Sequence, residues 1–482
     1  MRVEPTSAAP TGARGGPHRT RRATDAGVAM LLVALALGVR LYPAWQLKAI
    51  VNDVATYFVM GEMVLRGDNL YAQRILFPYT PFTQVHPALA ILVSRALGWT
   101  FDFAVKLPEI LADGLSTAVI YAFLRFEGAR VGRAALWSML WVLNPVSILI
   151  SAFHGNIMAA TPFFVLGAFV AARVGEDRDS RSLWMATSAL LLGMGVAVRT
   201  YPILLLPTFI VLSTRTIKEA VVYVGLVALA PGLSSLPYLI YARQTFLNEV
   251  LGYGGFTDFG WVAVLRAGVF FAQGQQLSNF GGGLLPMTRL AFLYAYGISL
   301  LVLPYFRSAS VGRALAVMPL LFYAIYAGVC AQYLVWVLPV AIALRDRVSL
   351  PYTLVATLAL LGFYAFYAPG ILGGRYGLPP MSPWVPAVIY TVGNVLLVIV
   401  SLWWLIGIFK GEFRACRAGQ WSTSVTWVRR LRGVWFHWAY GLVVAMVVAG
   451  VLVPTIVRTA RMVPDVMRSV LAPQYHYLFP PG

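Results

Sequence analysis

Charge is what this 482-residue sequence has least of. Asp, Glu, Lys and Arg together make up 11% of it, and 59% of its residues are hydrophobic. A soluble globular domain carries about 25% charged residues. A chain this long and this poor in charge cannot cover a water-facing surface, so lipid must cover it. Acidic residues are scarcer still, 18 against 37 basic, for a net charge of +19. In a soluble protein that surplus would point to nucleic acid. Here the basic residues cluster in short loops between apolar runs, which is the positive-inside pattern, and no nucleic-acid partner is expected. There are only two cysteines, Cys330 and Cys416. They fall on opposite membrane sides in the topology below, which argues against a disulfide. A metal-ligand cluster, a Walker loop and a dinucleotide fingerprint are all missing, and the five histidines are scattered. No cofactor is expected; a divalent metal stays open, with no ligand set to indicate one. The weak alternating segments of a membrane β-barrel are missing too.

What is present is a series of long, continuous apolar runs, as spanning helices require. They predict an all-α polytopic membrane protein of about 13 transmembrane helices. The spans fall at 28–46, 106–124, 134–152, 157–173, 183–198, 201–213, 219–241, 285–306, 314–329, 334–344, 350–368, 384–408 and 437–456. This arrangement puts nearly every Arg cluster on one side and the N-terminus in the cytoplasm. Residues 1–27 read as a disordered basic tail, 28–457 as the membrane domain and 458–482 as an outer C-terminal tail. Val28–Leu41 resembles a signal-peptide core, but no small-residue cleavage site follows, so it reads as an uncleaved span. Two outer loops are long, 47–105 and 242–284. The first contains an apolar stretch, His86–Leu97, too short to span and expected to lie in the interface. Long loops between spans are usually functional.

A charge at membrane depth is expensive and tends to mark function. Asp113 is such a charge; it either packs against an arginine of another helix or serves a site. Asp53, just past the first span, would alone be an ordinary loop acid. His154, Arg199, Arg243 and the pair Gln332-Tyr333 all fall at outer span ends. Each one singly would serve as an interfacial anchor, yet they come from different spans and share one membrane level, as an outward-facing cavity needs.

The order of these stretches resembles the GT-C glycosyltransferases, which use polyprenyl-phosphate sugars as donors. The nearest likenesses are the GPI mannosyltransferase group, bacterial polyprenyl-phosphate-mannose-dependent enzymes and the ER glucosyltransferases. The matching stretches begin with Asn52-Asp53…Tyr57, Gly67-Asp-Asn-Leu-Tyr71 and Tyr79-Thr-Pro-Phe-Thr-Gln-Val-His86-Pro. Lys106…Ala112-Asp113, Leu143-Asn144-Pro145…His154-Gly155-Asn156, Arg199-Thr-Tyr-Pro202 and Gln332-Tyr-Leu-Val-Trp336…Pro339 follow. The likeness covers about 45–345, and its specificity lies in the order of the motifs rather than in any one of them. It implies an inverting sugar transfer, mannose first among the sugars, to a lipid-linked or glycan acceptor on the extracytoplasmic face. On that likeness Asp53 is the general base. Arg199 and Arg243 are candidates for a phosphate clamp, with Lys106 a weaker one. His154 touches phosphate or acceptor, and Gln332 and Tyr333 line the sugar pocket. Tyr57, Asp113, Asn156 and Tyr201 complete the substrate-binding set. Relatives often carry an acid two residues after His-Gly-Asn; here Met158 stands in its place. Asp113, Glu249 or Asp258 would then supply a second charge, or the enzyme is altered or inactive.

Two other classes compete. A lipid or sugar transporter would show internal repeats with broken helices in matching positions, and no repeat is visible. A non-catalytic envelope scaffold would tolerate loss of Asp53. The simplest host is a bacterial plasma membrane.

Overall fold

The computed structural model describes residues 16–47, 51–72, 78–176, 179–274, 282–302, 308–367, 369 and 382–417. Helix is the only extended regular structure among them, apart from one isolated antiparallel bridge between Phe259 and Val329.

The helices are α1 (Gly16–Gln46), α2 (Val51–Leu65), α3 (Val85–Leu97), α4 (Phe101–Ala104), α5 (Leu107–Phe126), α6 (Val131–Val142), α7 (Pro145–Ile148), α8 (Thr161–Gly175) and α9 (Arg181–Val198). There follow α10 (Leu206–Ser213), α11 (Ile217–Tyr241), α12 (Arg243–Gly252), α13 (Trp261–Gln273), α14 (Leu285–Val302) and α15 (Ser308–Ala314). The last four are α16 (Val317–Ile325), α17 (Leu338–Ala343), α18 (Ser349–Tyr367) and α19 (Trp384–Arg417).

Eight stretches among the described residues are long and apolar enough to cross a membrane. They are α1 from Ala23, α4–α5, the run Val131–His154, α9, α11, the run Gly282–Leu301, α18, and α19 as far as Arg414. The outer helices bear apolar surface: in α11 only Tyr223, Val227 and Ser235 are buried, while Val221, Leu233 and Ile240 stand open. That is a surface made for acyl chains, and the protein is an all-helical, multi-pass membrane protein.

Eight of the thirteen expected spans are long and apolar enough to cross among the described residues. The stretches expected at 157–173, 201–213, 314–329 and 334–344 are apolar helices shorter than a bilayer crossing. Prolines interrupt them. Pro162, Pro202, Pro207 and Pro339 each sit in the first turn of a helical piece, where a missing N–H is tolerated and the chain upstream cannot continue the helix. The expected span at 437–456 and the tail at 458–482 lie outside the described residues.

The two long segments expected outside the membrane are also more ordered than loops. Segment 47–105 carries α2, α3 and α4; segment 242–284 carries α12 and α13. Helices α2 and α3 lie side by side, so close that a Cβ on Gly61 would sit 2.8 Å from the Pro87 carbonyl oxygen. The loop between them is stapled to the end of α9. The Thr83 hydroxyl donates to the Val198 carbonyl at 2.8 Å, and that of Thr80 donates to Ala197.

Inside the bundle, Arg40 of α1 pairs with Asp113 of α5 at 2.9 Å. Its other donors reach the Ala36, Trp141 and Val142 carbonyls and the Ser147 hydroxyl. Asp113 also accepts from Ser147 and Ser151 at 2.5 and 2.7 Å. All three guanidinium nitrogens and the Asp113 Oδ2 of this buried pair have partners, and such satisfaction is what makes a buried pair tolerable. Of its two readings, then, Asp113 takes the packing one, with its carboxylate occupied by α1. Lys106 is likewise committed. Its ammonium caps the end of α1 through the Ala44 and Leu47 carbonyls and pairs with Asp102 at 3.0 Å.

Candidate active site

The site is assembled from chain breaks. Helix α6 ends before Asn144, whose side chain accepts the Ser147 N–H and so caps α7. The chain then runs as a wide π-type turn through Leu149–His154. Gly155 reverses it at φ +73°, a left-handed conformation that favours glycine. That reversal turns His154 and Asn156 toward the same acid. Asn156 Oδ1 accepts the Met158 N–H at 3.1 Å, which fixes the amide so that Nδ2 donates.

The acid is Asp53. It sits in the first turn of α2 rather than in a loop, where the helix dipole favours the carboxylate. Its side chain is 37% exposed while His154 is buried. His154 Nε2 lies 2.9 Å from Asp53 Oδ2, and Nδ1 lies 2.9 Å from the Tyr364 hydroxyl of α18. The arrangement that satisfies all three groups has Tyr364 donating to Nδ1 and Nε2–H donating to the carboxylate. Asn156 Nδ2 adds longer contacts to Asp53 at 3.5 Å and to the Tyr57 hydroxyl at 3.3 Å.

From Tyr57 the network continues. Its hydroxyl meets that of Tyr79 at 3.3 Å. Burial, with Asp53 adding to it, pushes the Tyr79 phenol up to about 12, against a smaller opposite pull from Arg199; it is a neutral hydrogen-bonding group at neutral pH. The Arg199 guanidinium stands 5.2 Å from the Tyr79 ring centre and 5.1 Å from that of Tyr253. It donates to the Pro78 carbonyl at 2.8 Å and to the Tyr333 hydroxyl at 3.2 Å. Arg199 is buried, yet no carboxylate among the described residues lies within ion-pair distance of it. A buried cation normally has an anionic partner. Arg199 instead has three tyrosines, a setting that suits a cation whose anion arrives with a ligand.

Several expected site residues therefore converge: Asp53, Tyr57, His154, Asn156, Arg199 and Tyr333 form one continuous run. Tyr201 is buried and stacked on Trp336, ring centres 3.6 Å apart, and its hydroxyl has no hydrogen-bond partner among the described residues. Gln332 is buried beside Tyr333. Arg243 is not brought in. It begins α12 on that helix's exposed side, and no contact among the described residues joins it to this network. Met158 is buried in an apolar cluster with Tyr57, Met60 and Tyr79.

Of the acids considered for a second charge, Asp258 is the one that shares this electrostatic field. Burial holds its carboxyl above the usual range, Arg266 pulls it back, and Asp53 adds a further upward push. It is paired with Arg266 at 2.9 Å. Arg266 in turn packs over the Tyr367 ring at 4.2 Å. Among the described residues, no three of His, Cys, Asp and Glu are grouped as metal ligands. Tyr364, Tyr79, Tyr253 and Arg266, the partner of Asp258, are the site residues whose roles the sequence did not single out. For Tyr364 the one available signal was a hydroxyl in the middle of an apolar run.

No protein-family model matches the chain. The GPI alpha-1,4-mannosyltransferase I catalytic subunit of Danio rerio is 29% identical over 180 residues. The match spans 37% of this chain and about two fifths of that relative, 41% of its length. Crystal structures of ArnT from Cupriavidus metallidurans, with undecaprenyl phosphate and in the apo state, superpose with TM-scores of 0.47 and 0.46. Both are 17% identical, with 78% of this chain and 77% of theirs covered. The sequence relative is a mannosyltransferase of the GPI group that the ordered motifs point to, and on that ground the chain is similar to the GT-C glycosyltransferases.

Proposed function

We propose that the protein is an inverting glycosyltransferase. It moves a sugar, mannose first among the candidates, from a polyprenyl-phosphate donor to a lipid-linked or glycan acceptor. The observation that carries this reading is the pairing of a half-exposed, oriented carboxylate with a buried arginine that has no carboxylate partner, joined through Tyr57 and Tyr79.

In this reading Asp53 accepts the proton of the acceptor hydroxyl. The acceptor oxygen attacks the anomeric carbon as the bond from that carbon to the phosphate oxygen breaks, and the sugar inverts. The lipid phosphate leaves with the bond electrons, gaining negative charge. Arg199 meets that charge with a guanidinium suited to gripping phosphate oxygens. His154 holds Asp53 with one lone pair occupied and the rest of the carboxylate free to accept. Tyr201 and Trp336 offer a stacked aromatic wall, and Gln332 and Tyr333 offer hydrogen bonds to sugar hydroxyls. The relative from Danio rerio, a mannosyltransferase catalytic subunit by name, favours mannose. The clustering of arginines at the opposite helix ends supports an outward-facing site with the N-terminus in the cytoplasm, in the plasma membrane of a bacterial host.

The test uses membranes holding wild type or Asp53→Asn, supplied with labelled polyprenyl-phosphate-mannose. Wild type is expected to move label into a more polar product. Asp53→Asn at equal protein level is expected to lose at least ~100-fold of that rate, the scale of a missing general base. Unchanged transfer would remove Asp53 from the mechanism. No consumption of mannose, glucose or arabinose donors by wild type would favour a transporter or scaffold.

A further inference from the structure

A cavity of about 210 Å³ opens at the helix ends away from Asp53, lined by Phe123, Phe169, Glu127, Arg173, Arg313 and Arg345 among others. Its distance from the site follows from chain direction. Helix α8 starts just after Asn156 and ends beside Arg173; α17 starts after Tyr333 and ends beside Arg345. The length of α8 alone puts the two regions roughly 20 Å apart along the bundle.

Three guanidiniums meet one carboxylate in this cavity. Arg173 is paired, with Glu127 at 3.4 Å and with Glu176. Arg313 and Arg345 have no carboxylate within ion-pair distance among the described residues. Asp346, next in sequence, is engaged elsewhere: its carboxylate accepts from Trp404 Nε1 and from the Val348 N–H, both at 3.1 Å.

Scattered basic residues on this face would need no explanation beyond membrane orientation. Arg345 needs one. Its φ is +56°, the sole positive value for a non-glycine among the described residues. It occupies the reversal after α17, where the Asp346 N–H bonds the Ala341 carbonyl and the Arg345 N–H bonds that of Ile342, each at 2.9 Å. Glycine is the residue that such a helix end favours. An arginine there carries a backbone strain that a glycine would not, and its side chain lines the cavity. Strain retained at one position is a marker of a site.

We infer that this cavity is a second anion site, which takes a phosphate group on the membrane face opposite the transfer site through Arg313 and Arg345. Two sources share that chemistry, the headgroup phosphate of an anionic membrane lipid and a soluble phosphate ester. The inference stands apart from the transfer reaction, since none of its residues belongs to that site.

The test is the melting temperature of the full chain in neutral detergent, titrated with short-chain phosphatidylglycerol, with inorganic phosphate and with short-chain phosphatidylcholine as a control. Wild type is expected to show a saturable rise with an anionic ligand, as a ligand selective for the folded state produces. Arg345→Gly is expected to melt at the same temperature as wild type or higher without ligand, because glycine suits the reversal. It is also expected to need roughly tenfold more ligand for the same rise, the scale of one lost charge-assisted contact. Arg313→Gln should weaken the response in the same direction. A rise with phosphatidylglycerol alone assigns the lipid headgroup, and an equal rise with inorganic phosphate assigns the soluble ester. The inference is overturned if neither ligand gives a saturable rise, if Arg345→Gly responds as wild type does, or if that variant melts lower without ligand.

Discussion

Asp53 takes its orientation from a histidine whose own orientation is set by a tyrosine. Tyr364 lies on α18, more than 300 positions away in sequence, and touches the acid only through His154. Removing its hydroxyl leaves Nδ1 of a buried imidazole unpaired, at a cost of about 1–3 kcal/mol. The tautomer that donates to Asp53 is then no longer enforced. Tyr364→Phe is therefore expected to slow sugar transfer roughly tenfold, since about 1.4 kcal/mol corresponds to a factor of ten. Protein level and donor affinity should be nearly unchanged. Initial rates across donor concentrations check it: a loss confined to the apparent donor affinity, with the maximal rate intact, would place Tyr364 in donor binding instead. Met158 belongs to the same scale. It is packed among Tyr57, Met60 and Tyr79, so an acid there would enter an apolar cluster at a desolvation cost. Asp258 shares the electrostatic field of Asp53, and its own burial cost is partly offset by the pairing with Arg266.

At the scale of elements, α18 and α19 determine where Tyr364 stands. They touch backbone to backbone, as small residues allow between helices in a membrane. A Cβ on Gly393 would sit 2.5 Å from the Ala359 nitrogen and 2.6 Å from its Cα; one on Gly362 would press on the backbone of Tyr390. Neither neighbour can move aside as a flexible side chain would. Gly393→Ala should therefore destabilise the protein by about 1–3 kcal/mol, the usual cost of overpacking. It should also depress transfer, because the helix that moves carries Tyr364. Gly407→Ala, on the same helix with open space around it, is expected to leave both unchanged. Parallel melting and activity measurements decide the matter. Equal behaviour of the two variants would mean that close approach of α18 and α19 is unimportant. The α2 start, the π-type turn and the loop stapled to α9 act similarly. Each delivers one group, Asp53, His154 or Tyr79, from a place where regular helix stops.

For the whole molecule, the bilayer sets the terms. Exposed Val, Leu and Ile on α11 and α19 are stable only against acyl chains, and the two polar ends of the bundle differ in character. One holds the aromatic and acidic site; the other holds Arg125, Arg130, Arg133, Arg173, Arg313 and Arg345. The positive-inside rule then predicts that the site faces outward. In a Cys416→Ser background, cysteine introduced at Arg66 should react with an impermeant thiol reagent in intact cells. Cysteine introduced at Arg130 should react only after permeabilisation. The opposite pattern would place sugar transfer on the cytoplasmic face and require a different donor pool.

Composition and the length of the apolar runs were enough to determine an all-helical, multi-pass membrane protein, because covering a chain this poor in charge leaves lipid as the only solvent. The order of short motifs was enough to bring Asp53, His154, Asn156 and Arg199 under suspicion of sharing a site. Which polar groups meet was decided by tertiary structure alone. Asp113 reads in sequence as a charge at membrane depth and Lys106 as a weaker phosphate clamp, yet Arg40 and the carbonyl end of α1 claim them. Arg243 reads as a clamp and lies on an exposed helix face. Tyr364, Tyr253 and Asp258 reach the site across hundreds of positions. A hydrophobic period fixes which residues face lipid. It carries no information on which helices become neighbours, and pairing between distant side chains depends on that.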